Sequence, residues 1–162
     1  MKKTIVIISI VLLVLVTIVA GFTAFSLMNR EKESITAEEF KIIMQDKGYL
    51  IADATSQFSE YDYVSKVYLA TTSDKLYQIE FYTLSDDSSA TYFFNTNKTL
   101  FEQNKTSVST STSSEFSNHA KYTLTSANKY MVVSRINNTV AYVNVDEQYK
   151  DNVKDILKEL GY

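Results

Sequence analysis

The stretch MVVSRINNTVAYVNV, residues 131–145, decides the fold. It contains two runs that we interpret as strands of alternating pattern, and Asn137 and Asn138 separate the runs. Alternation with a period of two is typical of a strand with one buried face, and asparagine tolerates the positive φ angles of a two-residue hairpin turn. The stretch therefore predicts an antiparallel hairpin in which Ile136 pairs with Thr139.

Four further segments have the composition of strands, because they are rich in β-branched and aromatic residues. They cover residues 49–55, 63–71, 75–83 and 120–125. The serine- and threonine-rich run SVSTSTSS, residues 107–114, fits either a flexible loop or a polar edge strand. It contains no glycine or proline that would decide between the two.

Three amphipathic segments predict helices. The first begins with a capping box of Thr36 and Glu39 and ends at Gly48. The second covers residues 86–105 behind a cap at Ser85, and the third covers residues 147–160 and ends at Gly161. The order of strands and helices predicts an α+β fold, in which a mainly antiparallel sheet packs against about three helices on one face.

The N-terminus predicts a membrane anchor. The run 5–27 has no charged residue in 23 positions, and about 20 apolar residues cross a bilayer as a helix. Lys2 and Lys3 precede the run, so the positive-inside tendency places the N-terminus in the cytoplasm. A cleaved signal, with Val19 and Gly21 at the cleavage site, is the alternative.

This anchor divides the chain into four predicted parts. They are a cytoplasmic N-terminus at 1–4, a transmembrane helix or uncleaved signal anchor at 5–28, a juxtamembrane linker at 29–34, and an extracytoplasmic domain at 35–162. From Glu31 onward the chain keeps all 19 acidic residues and 13 of its 16 basic residues, which gives a formal charge of −6. Such an acidic domain is a poor binder of nucleic acid. The chain has no cysteine, which excludes structural disulfides, thiolate metal sites and cysteine nucleophiles.

The hairpin carries the first candidate site. Arg135 is predicted to lie on the polar face of the sheet, diagonal to Tyr142, where its guanidinium could lie over the ring. The same face is expected to hold the other members of a possible ligand or partner surface. The candidate residues are Arg135, Tyr142, Glu80, Tyr82, Gln78 and Asn144. The competing interpretation is that these are ordinary solvated strand residues.

The predicted membrane helix carries the second candidate site. Small residues recur at i, i+3, i+4 and i+7, a spacing that would let another membrane helix approach closely. These residues are Thr17, Ala20, Gly21 and Ala24. Small residues are also common in single spans without any such contact.

The sequence predicts no catalytic residue, metal site or cofactor. His119 is the only histidine and falls in a predicted polar loop. Ser126 and Lys129 match the S-x-x-K pattern of penicillin-recognising enzymes, but they fall in a predicted hairpin turn and no K-T-G follows. We interpret this match as a chance occurrence.

Three segments resemble a group of uncharacterised small envelope proteins of Gram-positive Firmicutes. They are KGYLIADAT, LYQIEFYTLSDDSSATYFFN and YMVVSRINNTVAYVNVDEQYKDNVKDILKELGY. Many members of that group have a lipoprotein cysteine after a shorter hydrophobic segment, whereas this chain has a predicted span and no cysteine. The resemblance implies a tethered extracytoplasmic domain and implies no activity.

These observations favour a non-enzymatic, membrane-anchored binding or accessory module of the cell envelope. Its expected partners are the membrane and an envelope protein or cell-wall component. One alternative is an envelope enzyme that uses sheet-face carboxylates such as Glu80. The other is a structural subunit of a membrane complex, held through its span.

Overall fold

The strands form one seven-stranded antiparallel sheet. A computed structural model describes residues 31–162. The strands are β1 (Leu50–Asp53), β2 (Val64–Thr71), β3 (Gln78–Leu84), β4 (Thr110–Glu115), β5 (His119–Ser126), β6 (Lys129–Ile136) and β7 (Thr139–Asp146). Their order across the sheet is β1-β2-β3-β7-β6-β5-β4, and every neighbouring pair is antiparallel.

The predicted hairpin is confirmed as β6 and β7, which lie next to each other near the middle of the sheet. Ile136 pairs with Thr139, and the turn residue Asn137 has a φ of 49°. Asparagine accepts this left-handed conformation more readily than most residues. The turn therefore fixes the register in which Val132 and Val143 pair.

Three α-helices cover the sheet: α1 (Ala37–Asp46), α2 (Asp87–Glu102) and α3 (Lys150–Glu159). The predicted capping box of α1 is confirmed, since Thr36 Oγ1 accepts from the Glu39 amide and the Glu39 carboxylate accepts from the Thr36 amide. Gly48 follows the end of α1 and Gly161 follows the end of α3, both with positive φ. A left-handed glycine at these positions is a common helix ending.

The helices lie on both faces of the sheet, so the prediction of a single covered face is wrong. On one face, Phe40 and Met44 of α1 and Val153 and Leu157 of α3 share a core with the buried side chains of β3, β6 and β7. On the other face, the buried side chains of α2 pack on alternate residues of β5, β6 and β7. Sequence periodicity shows that a helix has an apolar side but not which sheet face it covers.

Several element boundaries differ from the predicted ones, and α2 ends at Glu102 rather than at Lys105. The N-cap of α2 is Asp86 rather than Ser85, because the Asp86 carboxylate accepts from the Ser89 amide at 2.7 Å. The third helical segment begins as a short 3-10 turn, Glu147–Tyr149, before α3. Residues 110–114 of the serine- and threonine-rich run lie in the edge strand β4, and residues 107–109 come before it, so a polar edge strand is confirmed for most of the run.

The predicted span at 5–28, with its stripe of Thr17, Ala20, Gly21 and Ala24, lies outside the described residues. Within residues 31–162, the helices are too short and too polar to cross a bilayer.

Candidate functional site

A groove of about 460 Å³ lies between α2, the sheet and the segment that joins β1 to β2. We call it the aromatic groove, because seven of its eleven lining residues are aromatic. It is lined by Phe58, Tyr61, Tyr63, Val64, Glu80, Tyr82, Tyr92, Phe93, Thr96, Asn97 and Tyr142. Its volume falls within the range of about 300 to 1,000 Å³ that is usual for small-molecule sites.

The sheet supplies the floor of the groove. Glu80 of β3 pairs directly with Tyr142 of β7, and Tyr82 lies two residues further along β3. Side chains alternate across a sheet, so these three residues point to the same face. This is the face that α2 partly covers.

The helix α2 supplies one wall. Ala90, Phe94 and Phe101 face the sheet and are buried. Tyr92 and Phe93 lie beside this buried stripe and line the groove. The helix α2 therefore carries aromatic side chains beside the buried stripe as well as within it.

The opposite wall comes from the segment between β1 and β2, which Asp53 holds in place. Its carboxylate accepts from the Thr55 amide at 3.0 Å, from the Thr55 hydroxyl at 2.6 Å and from Lys66 Nζ at 2.6 Å. The Thr55 hydroxyl in turn accepts from the Val67 amide. Lys66 and Thr55 together hold the pKa of Asp53 well below its usual range. The carboxylate thus ties the segment to strand β2.

The rings of the groove form a continuous series of contacts from the floor to the rim. The centroid distances between successive rings are 4.6, 5.4, 6.4, 5.8 and 6.1 Å. The series runs Phe93, Tyr82, Phe58, Tyr61, Tyr63, Tyr92. Tyr82 at the floor is 4 % exposed, whereas Tyr61 and Tyr92 at the rim are 48 % and 61 % exposed. Aromatic pairs at these distances support one another, so the series holds two rings at the water boundary.

Glu80 is the one carboxylate among the lining residues. Its Oε1 accepts from Gln78 Nε2 at 2.9 Å, and its Oε2 accepts from the Tyr82 hydroxyl. Burial raises the pKa of Tyr82 and of Tyr142, and the nearby negative charge of Glu80 raises both further. Both tyrosines therefore keep their protons at neutral pH and can act as hydrogen-bond donors.

The structure brings together three of the six predicted sheet-face residues. Glu80, Tyr82 and Tyr142 line the groove. Gln78 does not line it but orients Glu80, and Asn144 is exposed on β7 two residues from Tyr142. Whether these residues bind a ligand stays a prediction.

Arg135 lies elsewhere, and the expectation that it is exposed is wrong. It pairs with Val140, which follows from the predicted pairing of Ile136 with Thr139, but it is only 6 % exposed on the face covered by α2. The Tyr142 ring packs on Phe101 of α2, with the ring centroids 5.2 Å apart. In residues 31–162 the cation–π contacts are made by lysines.

Sequence reasoning missed the two walls of the groove. Phe58, Tyr61 and Tyr63 come from a segment that has no strand or helix periodicity. Tyr92 is an exposed residue of α2, next to Phe93 in the chain. The available signal was composition, since YDY and YFF place five rings in two short runs.

The groups considered for catalysis have structural roles. The Ser126 hydroxyl donates to the Asn104 carbonyl at 2.6 Å and accepts from the Ser109 hydroxyl, while Lys129 pairs with Asp146 at 2.6 Å. His119 begins β5 rather than lying in a loop, and its ring stacks on Phe116. Within residues 31–162 no group of three or more potential ligands is placed to hold a metal ion.

Comparison of the chain with protein-family models, with curated proteins and with solved structures found no match. The functional argument therefore depends on the geometry of the aromatic groove.

Proposed function

We propose that this protein is a non-enzymatic, membrane-anchored binding module of the cell envelope, and that the aromatic groove is its ligand site. The observation that carries the proposal is the series of rings that ends in two exposed tyrosines, Tyr61 and Tyr92. Among the exposed large apolar side chains of residues 31–162, these are the two aromatic ones, and both line the same groove. Exposed apolar groups that gather at a concave site are typical of binding surfaces.

The uncharged run at 5–27 supports the anchoring part of the proposal. The positive residues before it support an external position for the domain. An anchored domain of this kind meets ligands in the envelope rather than in the cytoplasm.

Fluorine NMR of the full chain, labelled with 3-fluorotyrosine in a nonionic detergent, tests the site. The signals are assigned with single tyrosine-to-phenylalanine variants. We expect a ligand from a panel of organic cations, cell-wall oligosaccharides and short peptides to shift the signals of Tyr61 and Tyr92. Tyr77 and Tyr149, whose rings pack together on the opposite face of the sheet, are the internal controls. A panel in which every member leaves Tyr61 and Tyr92 as unmoved as the controls would refute the proposal.

A variant sharpens this test. Tyr92→Ala removes one exposed ring from the rim and leaves the buried residues of α2 in place. We expect it to weaken binding at least about fivefold, since an aromatic contact contributes about 1 kcal/mol. Ile42→Ala, at an exposed position on α1, is the matched control and is expected to leave binding unchanged.

An envelope enzyme is the second candidate, because Glu80 lies in a concave site as that hypothesis requires. General acid and base catalysis by carboxylates commonly uses two of them, and Glu80 is the one carboxylate among the lining residues. Conversion of a bound ligand by the full chain, abolished in Glu80→Gln with affinity retained, would favour the enzyme over the binding module.

A further inference from the structure

We propose that the ligand of the aromatic groove is a small organic cation, in which a positively charged nitrogen carries alkyl groups. This inference rests on the proposed binding function, and it adds the chemical class of the ligand. Three properties of the groove carry it: its charge, the orientation of Glu80 and the arrangement of its rings.

The charged side chains of the groove lining are of one sign, which is negative. Glu80 is a carboxylate, and the other described lining residues include no lysine, arginine or histidine. The lysines of β2 and α2 are paired with other carboxylates. Lys66 Nζ lies 2.6 Å from Asp53 Oδ2, and Lys98 Nζ lies 2.6 Å from Glu115 Oε1. The carboxylate in the groove is therefore left for a cation that comes from outside. The formal charge of −6 from Glu31 onward adds a field that attracts cations.

Glu80 is held ready for such a ligand. Gln78 donates to one of its oxygens and Tyr82 donates to the other, so each oxygen has a fixed donor and a further lone pair. The two donors fix the orientation of the carboxylate before any ligand arrives. Preorganisation of this kind lowers the entropy cost of binding.

The rings favour an organic cation over a hydrated metal ion. The faces of aromatic rings carry partial negative charge and attract alkylammonium groups, which have little hydration to lose. Calcium and magnesium require six or more oxygen ligands, and this lining offers a single carboxylate. Tyr61 and Tyr92 offer exposed rings at the rim for the alkyl groups, and Glu80 offers its charge at the floor.

A neutral sugar fits the lining less well. Sugars stack on aromatic rings but also need several polar groups for their hydroxyls. Outside the tyrosines, the polar lining consists of Glu80, Thr96 and Asn97, and the Asn97 amide already donates to the Phe93 carbonyl at 2.8 Å. The balance of many rings and one charge therefore favours the cation.

The test compares choline with 3,3-dimethylbutan-1-ol, in which a neutral carbon replaces the charged nitrogen. The full chain, labelled as above, is titrated with each compound, and the shifts of Tyr61 and Tyr92 report binding. We expect choline to bind at least about tenfold more tightly than its neutral analogue, because both Glu80 and the rings act on the charge. Equal affinity for the two compounds would overturn the inference.

Two variants locate the effect. Glu80→Gln keeps the shape of the side chain and is expected to reduce the preference for choline at least about fivefold, with little change in the affinity of the alcohol. Glu159→Gln removes the same charge from an exposed position on the opposite face of the sheet, and it is expected to change neither affinity. Equal effects of the two variants would mean that only the overall charge matters, and would overturn the inference.

A third variant covers the case in which Glu80→Gln fails to fold. Tyr92→Leu keeps apolar bulk at an exposed position but removes the ring, and it is expected to weaken choline binding more than alcohol binding. If an oligosaccharide shifts Tyr61 and Tyr92 while choline does not, the cation is wrong but the groove remains a binding site. If neither compound class shifts them, both proposals fail.

Discussion

Replacing Arg135 with methionine is expected to leave the fold intact and to stabilise it slightly. Arg135 is 6 % exposed, and its Nε has no hydrogen-bond partner within residues 31–162. Its Nη1 donates to the carbonyls of Asn118 and Asn137, both at the long distance of 3.4 Å. Burial lowers the pKa of Arg135, and the negative charges of Asp87 and Glu115 oppose that effect. The guanidinium is thus a buried charge with weak compensation.

The magnitude follows from these contacts. A buried donor without a partner costs about 1 to 3 kcal/mol, and the two long hydrogen bonds contribute at most about 0.5 to 1 kcal/mol each. Methionine matches the length of the arginine stem. It removes the cost of the unpaired donor and also the two weak hydrogen bonds, so the free energy of unfolding should rise by about 1 kcal/mol. Arg135→Ala also loses the packing of the stem and should lower it by about 2 kcal/mol. The two variants are expected to differ by about 3 kcal/mol.

Urea unfolding of the full chain in detergent, followed by the near-ultraviolet circular dichroism of the tyrosines, measures both variants. Lys121→Met is the control, since Lys121 Nζ has a hydrogen bond of 3.0 Å to the main-chain oxygen of Tyr162. Loss of this bond should lower the free energy of unfolding by about 1 kcal/mol. If Arg135→Met were less stable than the unaltered chain by more than about 1 kcal/mol, the guanidinium would contribute more than its contacts indicate, and the reasoning would be refuted.

Three further variants test the fold by the same unfolding assay. Thr36→Ala removes the helix cap and should cost about 1 kcal/mol, whereas an unchanged midpoint would mean that the capping box contributes nothing. Tyr162→Ala empties a core position that is 3 % exposed and should cost about 3 to 5 kcal/mol, while Tyr162→Phe loses only the phenol hydrogen bond and should cost about 1 kcal/mol. Burial and the positive charges of Lys32 and Arg135 lower the pKa of His119 in the folded chain. The contribution of His119 to the free energy of unfolding is therefore complete above about pH 6.5, the usual pKa of histidine, and is lost as the pH falls through the folded-state pKa. His119→Gln should therefore reduce the loss of stability between about pH 7 and pH 5, and identical pH profiles of the two chains would contradict this.

The local elements were predictable where one short stretch contains the whole signal. The β6–β7 hairpin depends on two adjacent runs of strand-forming residues and on Asn137, whose positive φ the turn requires. The capping box of α1 likewise lies within four residues, Thr36 to Glu39. Both were predicted because period and capping act over distances that a sequence window covers.

The contacts between distant elements could not be predicted in the same way. β3 pairs with β7, so Glu80 lies beside Tyr142, which is more than sixty residues away in the chain. The predicted shared face required only that the strand segments 75–83 and 139–145 lie in one sheet, whereas their direct pairing depends on the tertiary structure. The same applies to α2, whose apolar stripe does not say which strands it crosses. Arg135 was expected to be exposed to solvent, because the sequence pattern of its own strand does not reveal that a distant helix covers that face.

The position of α2 explains why residues of one sheet face have opposite environments. Where α2 covers the face, Arg135 is buried among weak hydrogen bonds. Where α2 leaves the face uncovered, Glu80 lies on the floor of a groove whose other wall Asp53 holds in place. An apolar residue would pack better than a carboxylate among these rings, so Glu80, like the enclosed Arg135, departs from the apolar pattern around it. Unlike Arg135, Glu80 lines an open groove. Departures of this kind are expected at functional sites, and this departure is the physical reason to look for a cation in the groove.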